Sequence, residues 1–190
     1  MTAPDLKAVL RARLRAVRRR AATALPEAAD AAAHRAPADR LAAFACIGAY
    51  RAVGSEIDPS PLVRKLCAAG AQVALPAAHD RGAPLEYRIW DGAAPLEPDA
   101  FGVPAPPTSA RPAHPDLVIV PLLGFDRQGR RLGQGGGTYD RTLANLRASG
   151  RVFVLGLAYS SQETDEIPWE PHDERLDAVL TEAGYIEFGD

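Results

Sequence analysis

The sequence predicts an α/β protein: a three-layer α/β/α sandwich with a mostly parallel central sheet, folded as one domain over residues 1–190. Short apolar runs alternate along the chain with segments of helical periodicity. That alternation builds a parallel sheet covered on both faces. The length, 190 residues, is enough to bury roughly 70% of the unfolded surface without a disulfide or metal staple. The run Leu117-Val-Ile-Val120 is apolar at every position, as a central strand buried on both sides must be.

Each element follows from a local signal. Thr2 and Asp5 have capping-box spacing with Pro4 between them, so a first helix starts there. Leu6, Leu10, Leu14 and Val17 recur at helical spacing and predict its buried stripe. An Ala-rich helix is expected over residues 26–44, bent or broken at Pro37. Residues 45–50 read as the first strand, 59–69 as a helix stopped by Gly70, and 72–75 as the next strand. Residues 85–90 alternate like a strand, and the Pro- and Gly-rich residues 91–115 read as a long ordered surface loop. After the central strand come a glycine-rich loop to Gly137, a helix over 139–147, a strand over 152–157, and short strands at 179–180 and 185–188.

Composition excludes several classes. The net charge is −2, too balanced for a surface built wholly for nucleic acid. Cys46 and Cys67, the two cysteines, have no CxxC or His companion spacing, so neither a disulfide framework nor a zinc site is expected. The run from 117 to 125 is interrupted by Pro121 and Gly124 and is too short to span a bilayer. A cytoplasmic monomer with no membrane or nucleic-acid partner is the expectation. Charge is nonetheless uneven: residues 7–20 carry seven basic side chains and no acid, whereas only Arg175 offsets the acids after Ser161.

The chemistry concentrates in Pro121-Leu-Leu-Gly-Phe-Asp126-Arg-Gln-Gly129-Arg-Arg131-Leu132-Gly133-Gln134-Gly135-Gly136-Gly137-Thr138-Tyr139-Asp140-Arg141. Four glycines in five positions leave backbone N–H groups uncovered and permit positive φ, as an anion-binding nest requires. The loop lies between a buried strand and a helix, so its amides and the helix N-terminus face one anion. It is neither a Walker A loop nor GxGxxG, and a ligand-free glycine turn is the plain alternative. Lys7, Arg11 and Arg15 lie at i, i+4 and i+8 and share a helix face that could grip a polyphosphate or simply be solvated. No aromatic platform accompanies them, against a single-strand nucleic-acid reading.

Asp140 and Asp173 are carboxylates of the kind that hold Mg²⁺ beside phosphate. Equally, Asp140 could complement the helix dipole and Asp173 could cap a following helix. Glu56 sits in the loop after the first strand, where α/β proteins bind ligands. It could pair with a heterocycle, and Asp58 could cap the next helix. No GxSxG or Cys–His arrangement supports covalent catalysis.

The run PLLGFDRQGRRLGQGGGTYDR resembles the signature of 5-formyltetrahydrofolate cyclo-ligases. The likeness extends to Lys7-x-x-x-Arg11, Glu56-Ile57-Asp58, Val73-x-Leu75-Pro76, Leu85-Glu86-Tyr87-Arg88, Phe101-Gly102-Val103, and His172-Asp173 leading to Thr181-Glu182. The resemblance implies MgATP-dependent closure of 5-formyltetrahydrofolate to 5,10-methenyltetrahydrofolate on a three-layer α/β/α fold. Carried over by position, it implies that Lys7, Arg11 and Arg131 to Tyr139 bind ATP, with Arg131 and Tyr139 catalytic. Glu56 and Gln134 to Thr138 would bind the folate, and Asp140 and Asp173 the Mg²⁺. Thr138 and Gln134 stand where relatives often carry aromatic residues, and Ala105 where an acid is common.

Overall fold

The computed structural model describes residues 3–80 and 82–189. Five helices and twelve strands follow one another: α1 (Ala3–Ala24), α2 (Ala28–Arg35), α3 (Ala38–Leu41), β1 (Cys46–Gly48), α4 (Ser60–Ala68), β2 (Gln72–Ala77), β3 (Glu86–Trp90), β4 (Glu97–Pro98), β5 (Pro104–Ala105), β6 (Pro112–Ala113), β7 (Leu117–Pro121), β8 (Gly124–Phe125), β9 (Arg131–Leu132), α5 (Thr138–Ser149), β10 (Phe153–Leu157), β11 (Ala178–Leu180) and β12 (Tyr185–Glu187).

Eight strands form one sheet in the order β12-β11-β10-β7-β1-β2-β3-β6. The block β11-β10-β7-β1-β2 is parallel throughout, and antiparallel β12, β3 and β6 finish the two edges. After β1 the chain builds outward to β2, then returns to place β7 on the other side. The carboxyl ends of β1 and β7 therefore flank a topological switch point, where an open α/β sheet has its ligand crevice.

The sheet is filled from both faces. Ile47, Leu117, Ile119, Leu155 and Leu180 face one way, against Ala32 of α2, Leu41 of α3 and Leu62 and Leu66 of α4. Val118, Val120, Val154 and Val179 face the other, against Leu143 of α5. The alternation is the strand period of two, and each fully buried aliphatic side chain contributes about 1.5–3 kcal/mol.

Three expectations change in detail. The helix expected over 26–44 is two helices: Pro37, which has no N–H to donate, stands at the N-cap of α3. The loop expected over 91–115 contains β4 and β5, which pair with each other, and β6, which extends the main sheet. These two-residue strands are too short for a period to show in sequence. The buried stripe of α1 also differs. Leu14 is buried, but Leu6 is 39% exposed, and Lys7 and Arg18 are buried beside Leu14 and Ala21. Long cationic side chains can bury their stems and pair their heads, which apolar periodicity does not detect. Thr2 of the expected capping box lies outside the described residues.

Between β7 and the glycine-rich loop stands a hairpin, β8–β9. Asp126 makes its turn: the fully buried carboxylate accepts N–H bonds from Gln128, Arg130 and Ile167, each at 3.0 Å. Leu14 of α1 packs with Leu123, Leu132 and Ile167 over this hairpin. Gly124 admits it, because a Cβ there would collide with the Leu14 side chain. By this contact α1 is laid across the carboxyl end of the sheet.

Candidate functional site

A cavity of about 590 Å³ opens beside the β1 and β7 carboxyl ends, within the range of small-molecule sites. Lys7, Arg11, Glu56, the segment 131–140 and Asp173, all expected from sequence, line it, whereas Arg15 of the basic helix face is not among its lining residues. The structure brings these expected residues from four separate stretches of chain to one place.

The glycine loop spans from β9 to α5. Gly135 and Gly137 have φ of +104° and +65°, in the left-handed region that glycine adopts without a Cβ penalty. Gly137 is the N-cap of α5 and lacks a side-chain cap, so the first-turn N–H groups are left for another acceptor. Two cations of α1 hold the loop from above. Arg11 Nε donates to the Gly133 carbonyl at 3.0 Å, and Arg15 Nε to Gln134 Oε1 at 3.0 Å. From below, Arg141 donates to the Gly136 carbonyl at 2.7 Å. Gln134 thus has a cationic partner, and Thr138 is the first residue of α5.

Arg131, at the start of β9, is buried. Its Nη2 lies 2.6 Å from Asp140 Oδ1, and its Nη1 donates to the Glu174 carbonyl. Burial lowers its pKa from the usual arginine value, with the Asp140 carboxylate opposing that shift. Tyr139, next in line on α5, has its phenol pushed well above its ordinary pKa by burial. It is a neutral O–H at physiological pH.

Lys7 is only 5% exposed. Its Nζ sits 2.6 Å from Asp173 Oδ2 and 2.7 Å from Glu170 Oε2. Burial works to lower its pKa, but the bonds to Asp173 and Glu170 outweigh that and hold it above the lysine range. Asp173 follows a turn rather than capping a helix: its Oδ2 also accepts the Glu170 N–H at 2.8 Å. Asp140 Oδ1 accepts the Glu174 N–H at 3.1 Å besides Arg131.

Each aspartate thus directs one carboxylate oxygen at these protein partners. His172 Nε2 lies 3.8 Å from Asp173 Oδ1. Glu170, His172 and Asp173 offer ligand atoms within 4.8 Å of one another. The two carboxylates of this group, paired with Lys7, are hard oxygen donors of the kind that fit Mg²⁺, which binds proteins through one or two carboxylates and keeps its waters.

Glu56 forms the opposite wall. Its Oε2 accepts the Val53 N–H at 3.0 Å, and its Oε1 faces Arg18 Nη1 at 3.4 Å. Burial raises its pKa, against the Val53 N–H and the Arg18 charge. Apolar groups complete the wall, among them Leu85, Val103 and the half-exposed Phe101.

Sequence reasoning missed Arg18 and Glu170. Arg18 lies at i+7 from Arg11 and i+11 from Lys7, spacings that return to one helix face, so the signal was present. Glu170 had no local signal, since a residue 163 positions away supplies its partner.

A protein-family model described as the 5-formyltetrahydrofolate cyclo-ligase family matches residues 4–182. The 5-formyltetrahydrofolate cyclo-ligase of Mycolicibacterium smegmatis is 40% identical over 141 residues, 70% of this chain and 71% of that protein. The Escherichia coli protein of the same name is 32% identical over 147 residues, 75% of this chain and 80% of its own. Among solved structures, Aquifex aeolicus 5,10-methenyltetrahydrofolate synthetase superposes with a TM-score of 0.73 at 22% identity, over 100% of this chain and 94% of that one. That likeness concerns the fold. No helix among the described residues is long and apolar enough to cross a membrane.

Proposed function

Because the chain belongs to the 5-formyltetrahydrofolate cyclo-ligase family, we propose that it closes 5-formyltetrahydrofolate to 5,10-methenyltetrahydrofolate with ATP and Mg²⁺, releasing ADP and phosphate. The observation that carries this reading is one cavity at the switch point. It joins a glycine nest, buried Arg131 and the α1 cations on one side to a carboxylate with apolar walls on the other. That is a phosphate site facing a site for a flat, N–H-rich heterocycle.

The geometry supports the following roles. Lys7, Arg11 and the N–H groups of residues 131–139, Leu132 included, bind the ATP phosphates. Lys7 exchanges part of its contact with Glu170 and Asp173 for phosphate oxygen. Asp140 and Asp173 hold Mg²⁺, which when bound supplies positive charge against the phosphate oxygens. Glu56 accepts hydrogen bonds from the pterin, with the segment Gln134 to Thr138 along the folate. The formyl oxygen attacks the γ-phosphorus, an O–P bond forms, and ADP leaves. N10 then attacks the formyl carbon, gives up its proton, and the C–O bond breaks to release phosphate.

Arg131, held rigid by Asp140, offsets charge on the transferring group, and the Tyr139 phenol is a nearby donor. Such catalysis is positioning and charge stabilisation, in keeping with a site whose prominent features are glycines and cations. We place the enzyme in the cytoplasm as a monomer without nucleic-acid or membrane partners.

Protein, MgATP and 5-formyltetrahydrofolate should yield the methenyl chromophore and ADP in equal amounts. With heavy oxygen in the formyl group, one labelled atom per turnover should appear in inorganic phosphate. ADP formation without the chromophore would overturn the activity. Label in bulk water would overturn the phosphorylation step.

A further inference from the structure

Arg18 is 7% exposed, lines the cavity, and has no part in the steps above. Its guanidinium joins three segments. Nε donates to Ser55 Oγ at 3.2 Å, and Nη1 lies 3.4 Å from Glu56 Oε1 and 3.3 Å from the Leu122 carbonyl. Ser55 and Glu56 belong to the chain leaving β1, and Leu122 follows β7 directly. Arg18 therefore spans the two sides of the switch point, and its Nη1 faces the residue assigned to the pterin.

We propose that Arg18 is a positioning residue for folate recognition, holding the Glu56 carboxylate as an acceptor for the N–H groups of the pterin. The inference rests on the reading of Glu56 as the pterin ligand. A carboxylate is acceptor-only when ionised, and a protonated one carries an O–H that opposes the pterin donors. Burial favours the protonated form of Glu56; the Val53 N–H and Arg18 favour the ionised one. The other titratable groups that sense its charge are Tyr50 beyond β1 and Tyr139 of α5. Burial keeps both tyrosines neutral. Arg18 is then the cation that offsets the burial of Glu56. Its guanidinium matches a carboxylate in shape as well as charge.

The test measures KM for 5-formyltetrahydrofolate and for ATP across a pH series on both sides of neutrality, because protonation of a carboxyl held above its ordinary pKa is felt increasingly as pH falls. Arg18→Gln, close in size but neutral, should raise the folate KM about tenfold near neutral pH, as expected for a lost charge-assisted contact. The increase should grow as pH falls, while KM for ATP stays within about twofold. Arg18→Lys should restore the flatter profile with a smaller rise. In a Glu56→Gln background, Arg18→Gln should add little and no pH dependence.

An unchanged folate KM in Glu56→Gln alone would overturn the assignment of Glu56 in the proposed function. If Glu56→Gln raises it but Arg18→Gln acts equally in both backgrounds, the positioning role is wrong and that assignment stands. Thermal melting checks the fold of each variant. Should Arg18→Gln fail to fold, Arg18→Lys replaces it in the same cycle. A cost that appears only when Glu56 is present supports the role, and an equal cost, or none, overturns it.

Discussion

The two halves of the Pro121–Arg141 run look alike in sequence, each mixing glycine with arginine, yet they do opposite work. The first half is organised around an inward-facing carboxylate. Asp126 is fully buried and accepts three backbone N–H groups, so its charge is spent on the β8–β9 turn and not on the cavity. In the second half, Gly135 and Gly136 are exposed, Gly137 starts α5 without a side-chain cap, and the flanking arginines hold carbonyls rather than N–H groups. Arginine on the carbonyls leaves the amides free for an anion. A single glycine- and arginine-rich run thus divides into a scaffold that places α1 and a loop that faces the cavity.

The sharpest way to break this division is Asp126→Ala. Three N–H groups, one buried and two part-buried, would lose their acceptor at about 1–3 kcal/mol each, partly relieved by water, so we expect a net loss of about 3–5 kcal/mol in urea unfolding. Activity should fall only as the folded fraction falls. A stable but inactive variant would mean that Asp126 belongs to the site.

Lys7→Met comes next. Its partner Glu170 is part-exposed, with 32% of its side chain accessible, so the stability lost is nearer about 1–3 kcal/mol than the value for a fully buried pair. Sign follows from linkage. A lysine held above its ordinary pKa gives stability that is fully present below the unfolded pKa and lost as pH rises through the folded one. The gap between wild type and variant should stay constant through neutral pH and close only under alkali. Its ATP affinity should also fall about 10–100-fold. Stability loss with unchanged ATP binding would make Lys7 a scaffold residue like Asp126.

The same division explains what was legible in the sequence. The parallel core was readable because β7 and β10 are continuous apolar runs whose period, length and flanks agree. The glycine loop was readable because no other residue type satisfies its positive φ. Lys7 and Arg18 were not read as buried, since a cation is buried only when a distant partner meets it. Glu170, Asp173 and Glu56 come from other parts of the fold. The β4–β5 pair and β6 are set by tertiary contact, not by propensity.

Gly137→Ala probes the open half. A non-glycine residue at φ +65° costs about 1–2 kcal/mol, and its Cβ would lie 2.6 Å from Arg141 Nη1. We expect KM for ATP to rise roughly tenfold for a distortion of that size, with a melting shift well below that of Asp126→Ala. A pure stability effect would close the gap between the halves. Asp140→Asn and Asp173→Asn should each shift the Mg²⁺ titration of activity to higher concentration. Overlaid titrations would remove both from the metal.

Arg127→Ala should have the smallest effect. Arg127 sits inside the run, two residues from Gly129 and one from Asp126, yet 85% of its side chain is exposed. Its partner is Glu163, with Nε to Oε1 at 3.0 Å. That pair raises the Arg127 pKa through the Glu163 bond, but water and salt screen an exposed pair, and ordering two long side chains offsets what attraction remains. It reaches neither the cavity nor the β8–β9 turn hydrogen bonds. Melting temperature and the KM for both substrates should therefore overlay the wild type at low and at high salt. If they do not, position within the run matters independently of burial and of the cavity, and the division into an inward half and an open half is too simple.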